Sequence, residues 1–254
     1  MPIFRAGSQM FYFAHVPKCA GSSMVHYLQD RFGALAFHDD SFHFAEEPMR
    51  WSKTSPQHIN IDALNRLFPD GFFDASFAVV RHPVARLISS YHFQFEVERR
   101  ISADTSFGAW IENVAEQRAK EPYVFDNHTR PMDDIVPPDA KIFQLEQGFD
   151  DFVSWLDQVT GNTDGPRALE IKNKRGAHRQ QTTAKIVPTP EEIELVANIY
   201  ARDFERFGYT EEMNISSCQQ ARSSAIKHSF GQSAKQILRG MGISGSRIRR
   251  VTRR

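Results

Sequence analysis

The chain has 254 residues, 41% of them hydrophobic, with 31 Lys+Arg set against 31 Asp+Glu. That length suits one large α/β domain or two small ones, and a formally neutral chain gives no electrostatic warrant for nucleic-acid binding. The charge is unevenly placed: residues 211–254 carry nine Lys/Arg and two Asp/Glu, leaving 22 against 29 in residues 1–210. We read a domain over residues 1–212 and a basic tail over 213–254, partly helical or disordered. Two cysteines cannot make a disulfide framework. No run approaches the roughly 18–20 apolar residues of a membrane span, and no signal-peptide core precedes the first apolar stretch. These features predict a cytoplasmic protein.

Residues 10–14 have the length and apolar content of a buried strand. His15-Val16-Pro17-Lys18-Cys19-Ala20-Gly21-Ser22-Ser23 follows, and then Met24, Leu28 and Phe32 recur at helical spacing, with Gly33 placed to end the helix. A loop from a buried strand into a helix N-terminus offers unpaired N–H groups and the positive end of a helix dipole to an anion. Lys18 adds a charge, Gly21 lets a phosphate approach the backbone, and Ser22 and Ser23 add hydroxyl donors. The order differs from the nucleotide loop G-x-x-x-x-G-K-S/T, whose lysine follows the second glycine. Cys19 is either a thiol acidified by Lys18 and the helix end or a plain filler of its position.

Residues 34–75 are irregular in pattern and contain His38, His43 and His58, with short helical spacing at Ile61, Leu64, Leu67 and Phe68. A second buried strand over residues 77–80 runs straight into Arg81-His82-Pro83. Pro83 suits a first helical turn, and Val84, Leu87, Ile88, Tyr91 and Phe95 form an amphipathic stripe. A further helix is predicted over about 105–119, then a turn-rich loop around Asn127-His128-Thr129-Arg130-Pro131. Residues 141–145 form a third strand candidate, followed by a helix marked by Phe149, Phe152, Val153 and Leu156. Residues 161–187 are polar and irregular. Thr189-Pro190-Glu191-Glu192 then caps one helix carrying Ile193, Val196, Ala197, Tyr200 and Phe204, closed by Gly208. In the tail, Ile226, Phe230 and Ile237 lie at helical spacing among Lys227, Lys235 and Arg239. The tail is either an amphipathic segment for peripheral contact with anionic membrane or a disordered basic extension.

Strands that are apolar throughout and alternate with helices predict an α/β layer with a mainly parallel sheet. Ligands of such sheets gather beyond the carboxyl ends of the strands. Lys18 and Arg81 both lie just past a strand end, where one ligand could touch both.

The lysine loop, read as His-Ile/Val-Pro-Lys-x-x-Gly-Ser/Thr-Ser/Thr, resembles the 5′-phosphosulfate loop of sulfotransferases that use 3′-phosphoadenosine-5′-phosphosulfate (PAPS). Arg81-His82-Pro83-Val84-Ala85-Arg86-Leu87-Ile88-Ser89-Ser90-Tyr91 resembles their 3′-phosphate-binding segment. Residues 143–146 are similar to the late strand that ends in glutamate, and residues 199–209 to the closing helix. Over about residues 8–210 the chain resembles the family-2 carbohydrate sulfotransferases, the group that includes the heparan sulfate 2-O-sulfotransferases. That resemblance implies a P-loop-NTPase-like three-layer sandwich with a mainly parallel central sheet flanked by helices. It implies that Lys18, Cys19, Ala20, Gly21, Ser22 and Ser23 hold the phosphosulfate of PAPS and that Arg81 and Ser89 hold its 3′-phosphate, with PAP as product. The chain departs by Cys19 where threonine is common and by His82 where aspartate is common. Arg86 is read as a buttress rather than a ligand contact.

In-line sulfuryl transfer needs positioning and charge stabilisation more than covalent help. Lys18 suits the charge on the leaving phosphate oxygen, and a histidine suits the acceptor's proton. The family's catalytic histidine lies between the two motifs, before a short helix. His58, preceded by Gln57 where the family often has glycine, is the candidate base; His43, His38 and His15 are the alternatives, with His15 read as a support of the loop. By resemblance His128 and Arg130 lie on the acceptor side and suit a saccharide; otherwise they belong to a surface loop. Asn173-Lys174-Arg175-Gly176 either closes over the cofactor or is solvated. The ten histidines show no metal-ligand spacing, so no metal is implied. The expected function is transfer of a sulfuryl group from PAPS to a carbohydrate or glycoconjugate hydroxyl. The alternatives are a non-catalytic protein binding PAP and a saccharide, and an ATP-dependent small-molecule kinase, against which the missing nucleotide loop speaks.

Overall fold

One sheet organises the chain: β1 (Ile3–Ala6), β2 (Gln9–Ala14), β3 (Ala75–Val80) and β4 (Lys141–Gln144) lie side by side in that order. The computed structural model describes residues 1–169 and 186–212, so the segment Asn173–Gly176 and the basic tail lie outside the described residues. β2 pairs parallel with β3 (Phe11 opposite Ala75, Ala14 opposite Ala78), and β3 pairs parallel with β4 (Phe77 opposite Lys141). These three strands match the expected ones. β1 was not expected. It pairs antiparallel with β2 through a tight turn at Gly7, whose φ is 60°. Four residues with Arg5 exposed give too short an apolar signal to register as a strand.

Seven α-helices accompany the sheet among the described residues: α1 (Gly21–Phe32), α2 (Ile61–Leu67), α3 (Pro83–Glu96), α4 (Phe107–Lys120), α5 (Asp150–Thr160), α6 (Pro190–Ile199) and α7 (Ala201–Phe207). Their starts follow local chemistry. Asn60 and Ser106 cap α2 and α4 by accepting the N–H of Ala63 and Ala109, and Thr189 with Glu192 closes a capping box on α6. The single helix expected after Thr189 is two, broken at Tyr200, which has φ −116° and ψ 28°. The phenol of Tyr200 donates to the carbonyl of Thr129 at 2.6 Å, and Asp203, one turn on, accepts the N–H groups of Met132 and Asp133. These long-range anchors set the direction of each half. No described helix is long and apolar enough to cross a membrane.

Two apolar cores result. The larger packs Phe11, Phe13, Phe77 and Phe143 of the sheet against Met24 and Leu28 of α1 and Phe152 and Leu156 of α5. The smaller joins Val84, Leu87 and Tyr91 of α3 to Trp110, Ile111 and Val114 of α4 and Val196 of α6. The level pairing of β2 with β3 brings His15 and Arg81, the first residues past each strand, to the same sheet end. Phe77 is fully buried, its ring 5.0 Å from Phe13 and 5.1 Å from Phe152. Phe77→Ala is therefore expected to lower stability by about 3–5 kcal/mol, read as a fall in the urea midpoint with the slope unchanged.

Candidate active site

The lysine loop is held in unusual backbone geometry. Lys18 and Ala20 have φ of 68° and 63°, the left-handed region that non-glycine residues enter at a cost of about 1–3 kcal/mol and mostly at functional sites. Ala20 is the N-cap of α1 and gives it no side-chain cap, so the helix begins without a capping side chain. Gly21 has a requirement the sequence does not reveal. A Cβ there would lie 1.6 Å from His15 Nε2, so the glycine makes room for the imidazole that supports the loop. Ser22 is exposed and Ser23 buried in the first turn of α1. Cys19 is buried, and burial pushes its thiol up to about 12 against the opposing charges of Arg86 and Arg81. It is a filler, not an acidified thiol.

Arg81 and Arg86 divide the work expected of the second motif. Arg86 is 1% exposed and donates from Nε to the carbonyl of Pro17 at 3.1 Å and from Nη2 to that of His128 at 3.2 Å. It is the expected buttress. Arg81 donates to the carbonyl of Lys18 at 3.5 Å, its buried Nε has no partner, and it makes no ion pair among the described residues. A half-exposed guanidinium with no carboxylate beside it suits an incoming phosphate. Ser89 lies half-buried two turns into α3. His82 faces elsewhere: its N–H donates to Glu146 Oε1 and its Nε2 meets the carbonyl of Thr210, so it joins β3 to the segments after β4 and α7.

The histidines converge on His58. It ends a short turn (Pro56–His58) and is buried. Its ring stands edge-on to those of His15, 4.8 Å away, and His128, 5.2 Å away. The His128 ring meets Phe93 at 4.9 Å, and Lys18 Nζ sits 4.0 Å from the centre of the same Phe93 ring. Lys18, Phe93, His128 and His58 thus form one contiguous group. Burial holds the imidazoles of His15 and His128 well below the usual range, helped by the charge of His58 and, for His128, of Lys18. Both stay neutral at physiological pH.

Asp126, which the sequence reading passed over, holds this group together. Its Oδ2 lies 2.7 Å from His58 Nδ1 and 3.2 Å from His43 Nε2, and Ser55 donates to it through both N–H and Oγ. Burial would raise its carboxyl, but the charge of His58 and the hydrogen bonds from His43 and His58 outweigh that and hold it well below the ordinary carboxylate range. The visible trace was backbone chemistry: Asp126-Asn127 is a pair of turn formers, and residues 125–127 have φ of 55°, 52° and 61°. Of the other candidates, His43 reaches His58 through Asp126, and His38 pairs with exposed Asp40 at 3.0 Å. Arg130 does not reach the group directly. Its Nε donates to Asn127 Oδ1, its Nη2 to the carbonyl of Pro122, and Asn127 in turn donates to the carbonyl of His58 at 2.7 Å. Arg130 braces the turn.

His58, Asp126 and His128 also place one donor atom each within 4.8 Å of one another, a spacing a divalent cation could draw in. The Lys18 charge that bears on His128 opposes a cation there. The arrangement suits proton transfer beside an anion site: an uncapped helix end and two cations for the anion, and a histidine on a carboxylate for the proton.

A model of the Sulfotransferase family matches residues 1–210. No curated protein and no solved structure matches the chain.

The close approach at Gly21 is testable. Gly21→Ala is expected to cost about 1–3 kcal/mol through forced displacement of the His15 ring, measured by thermal unfolding. In the double variant His15→Ala/Gly21→Ala most of that penalty disappears, which a double-mutant cycle reads directly.

Proposed function

Because the chain belongs to the Sulfotransferase family, a family of PAPS-dependent transferases, we propose that it sulfates a carbohydrate or glycoconjugate hydroxyl with Lys18 and His58 as its working groups. PAPS, when bound, supplies the sulfuryl group and leaves as PAP. The uncapped N-terminus of α1, with Ser22 beside it, offers N–H donors and a positive dipole end to the phosphosulfate. Arg81, whose Nε has no partner among the described residues, offers its guanidinium to the 3′-phosphate, with Ser89 as a further donor. These features fit the donor. The Lys18 ammonium stabilises charge as it builds on the departing phosphate oxygen. His58 takes the proton of the acceptor hydroxyl, and the neutral faces of His15 and His128 flank it without adding charge.

The observation that carries this reading is the contiguity of Lys18 and His58 through Phe93 and His128. The group that handles leaving charge and the group that handles the proton belong to one cluster. A carbohydrate acceptor is supported by the resemblance of the segment around residues 127–131 to the acceptor side of carbohydrate sulfotransferases.

Calorimetric titration with adenosine 3′,5′-bisphosphate tests the donor half, with ATP as the control. The bisphosphate should bind and ATP should bind far more weakly. Arg81→Ala should weaken the bisphosphate about tenfold to a hundredfold, as expected for loss of charged hydrogen bonds of about 1.5–3 kcal/mol. Equal binding of both nucleotides, or an unaffected variant, would refute the assignment of Arg81.

A further inference from the structure

Resting on the sulfuryl-transfer reading and deepening it, we propose that Asp126 is the positioning residue of the base: it fixes His58 in the tautomer that carries hydrogen on Nδ1 and leaves Nε2 to accept the acceptor's proton. An ionised carboxylate can only accept hydrogen bonds. The nitrogen facing Asp126 Oδ2 at 2.7 Å must therefore carry the hydrogen, with Ser55 Oγ 3.0 Å away as a second acceptor. Nε2 is left with its lone pair, free of the contact that Asp126 makes with Nδ1. Burial alone would favour the protonated acid, but the hydrogen bonds from His43 and His58 work against burial and hold the carboxyl down, and Ser55 adds two more donors.

The carboxylate is itself fixed. Ser55 N–H donates to Oδ1 at 2.6 Å and Ser55 Oγ to Oδ2 at 2.7 Å. The backbone beneath it runs through three successive left-handed residues, 125–127, a conformation that persists only where surrounding contacts impose it. One such contact comes from the next residue, since Asn127 Nδ2 donates to the carbonyl of His58, and Arg130 orients that amide. The same turn therefore grips the histidine twice, by its ring through Asp126 and by its main chain through Asn127. A turn that only closed a loop would need neither contact.

The proton count is simple. The acceptor's hydroxyl proton passes to Nε2 as its oxygen forms the new bond to sulfur, and the electrons of the broken bond leave on the phosphate oxygen beside Lys18. Nδ1 keeps its hydrogen throughout, and Asp126 stays ionised opposite the imidazolium. His43, on the same Oδ2 at 3.2 Å, forms the exposed side of this arrangement.

The test reads the tautomer and needs no acceptor. In full-length protein labelled with 15N-histidine, at a pH where the rings are neutral, His58 should show a protonated Nδ1 and a bare Nε2. Asp126→Asn, whose amide can donate to Nδ1, should shift His58 towards the Nε2–H form, and Asp126→Glu should restore the wild-type pattern. An Nε2–H tautomer in the wild type, or an unchanged tautomer in folded Asp126→Asn, would overturn the proposal. Titration with adenosine 3′,5′-bisphosphate runs alongside. Retained binding shows that the variant is folded; absent binding in the wild type counts against the sulfuryl-transfer reading and leaves the tautomer result standing. If Asp126→Asn does not fold, the wild-type tautomer decides alone. In turnover assays Asp126→Asn should lower kcat about 10²- to 10⁴-fold with KM within a few-fold.

Discussion

The guanidinium of Arg86 joins the two halves of this site. It is a full positive charge at 1% exposure, and it donates to the carbonyl of Pro17, in the lysine loop, and to the carbonyl of His128, whose ring meets that of His58. Ser90, one turn further along α3, donates to the same His128 carbonyl at 3.0 Å. A buried carbonyl stripped of its donor costs about 1–3 kcal/mol, so neither segment can leave Arg86 without penalty. The sheet sets where β2 and β3 end. Arg86 sets how the loop past one of them lies against the turn that carries His128.

Around that joint the charges are few and placed. His15 and His128 are kept neutral by burial, and Asp126 is kept ionised by what it binds. Lys18 Nζ lies 4.0 Å from the centre of the Phe93 ring, and Arg81 has a buried Nε without a partner among the described residues. Cationic character gathers at the lysine loop and the end of β3, and one carboxylate holds His58. A site built this way stabilises negative charge at one side of a transferring group and removes a proton at the other. That is the requirement of sulfuryl transfer.

How much of this was legible follows from the range of the interactions. β2 and β3 were visible because each ends in a run of four buried residues, and β4 through the apolar pair Ile142-Phe143 at its centre. α1 and α6 were visible because a glycine stop and a Thr-Pro-Glu-Glu start are local signals. Arg81 was legible as a charged residue directly after an apolar strand, and Lys18 as one in the short loop that leaves another. Asp126 was not, since its partner His58 is 68 residues away and no periodicity links them. The demand on Gly21 was hidden for a different reason: His15 is close in sequence, but only the folded path of the loop brings its ring onto the glycine. The break at Tyr200 interrupts a helical pattern that continues unbroken in sequence, and anchors on residues 129–133 impose it.

The account stands most directly on His58 as the base. The decisive measurement is transfer from radiolabelled PAPS to a panel of soluble oligosaccharides by the wild type and by His58→Ala, with bisphosphate affinity measured on both. The account predicts label transfer by the wild type and a loss of at least about a hundredfold in the variant, with bisphosphate affinity unchanged. Turnover surviving in His58→Ala at the wild-type rate would contradict it and move the proton to another member of the histidine cluster.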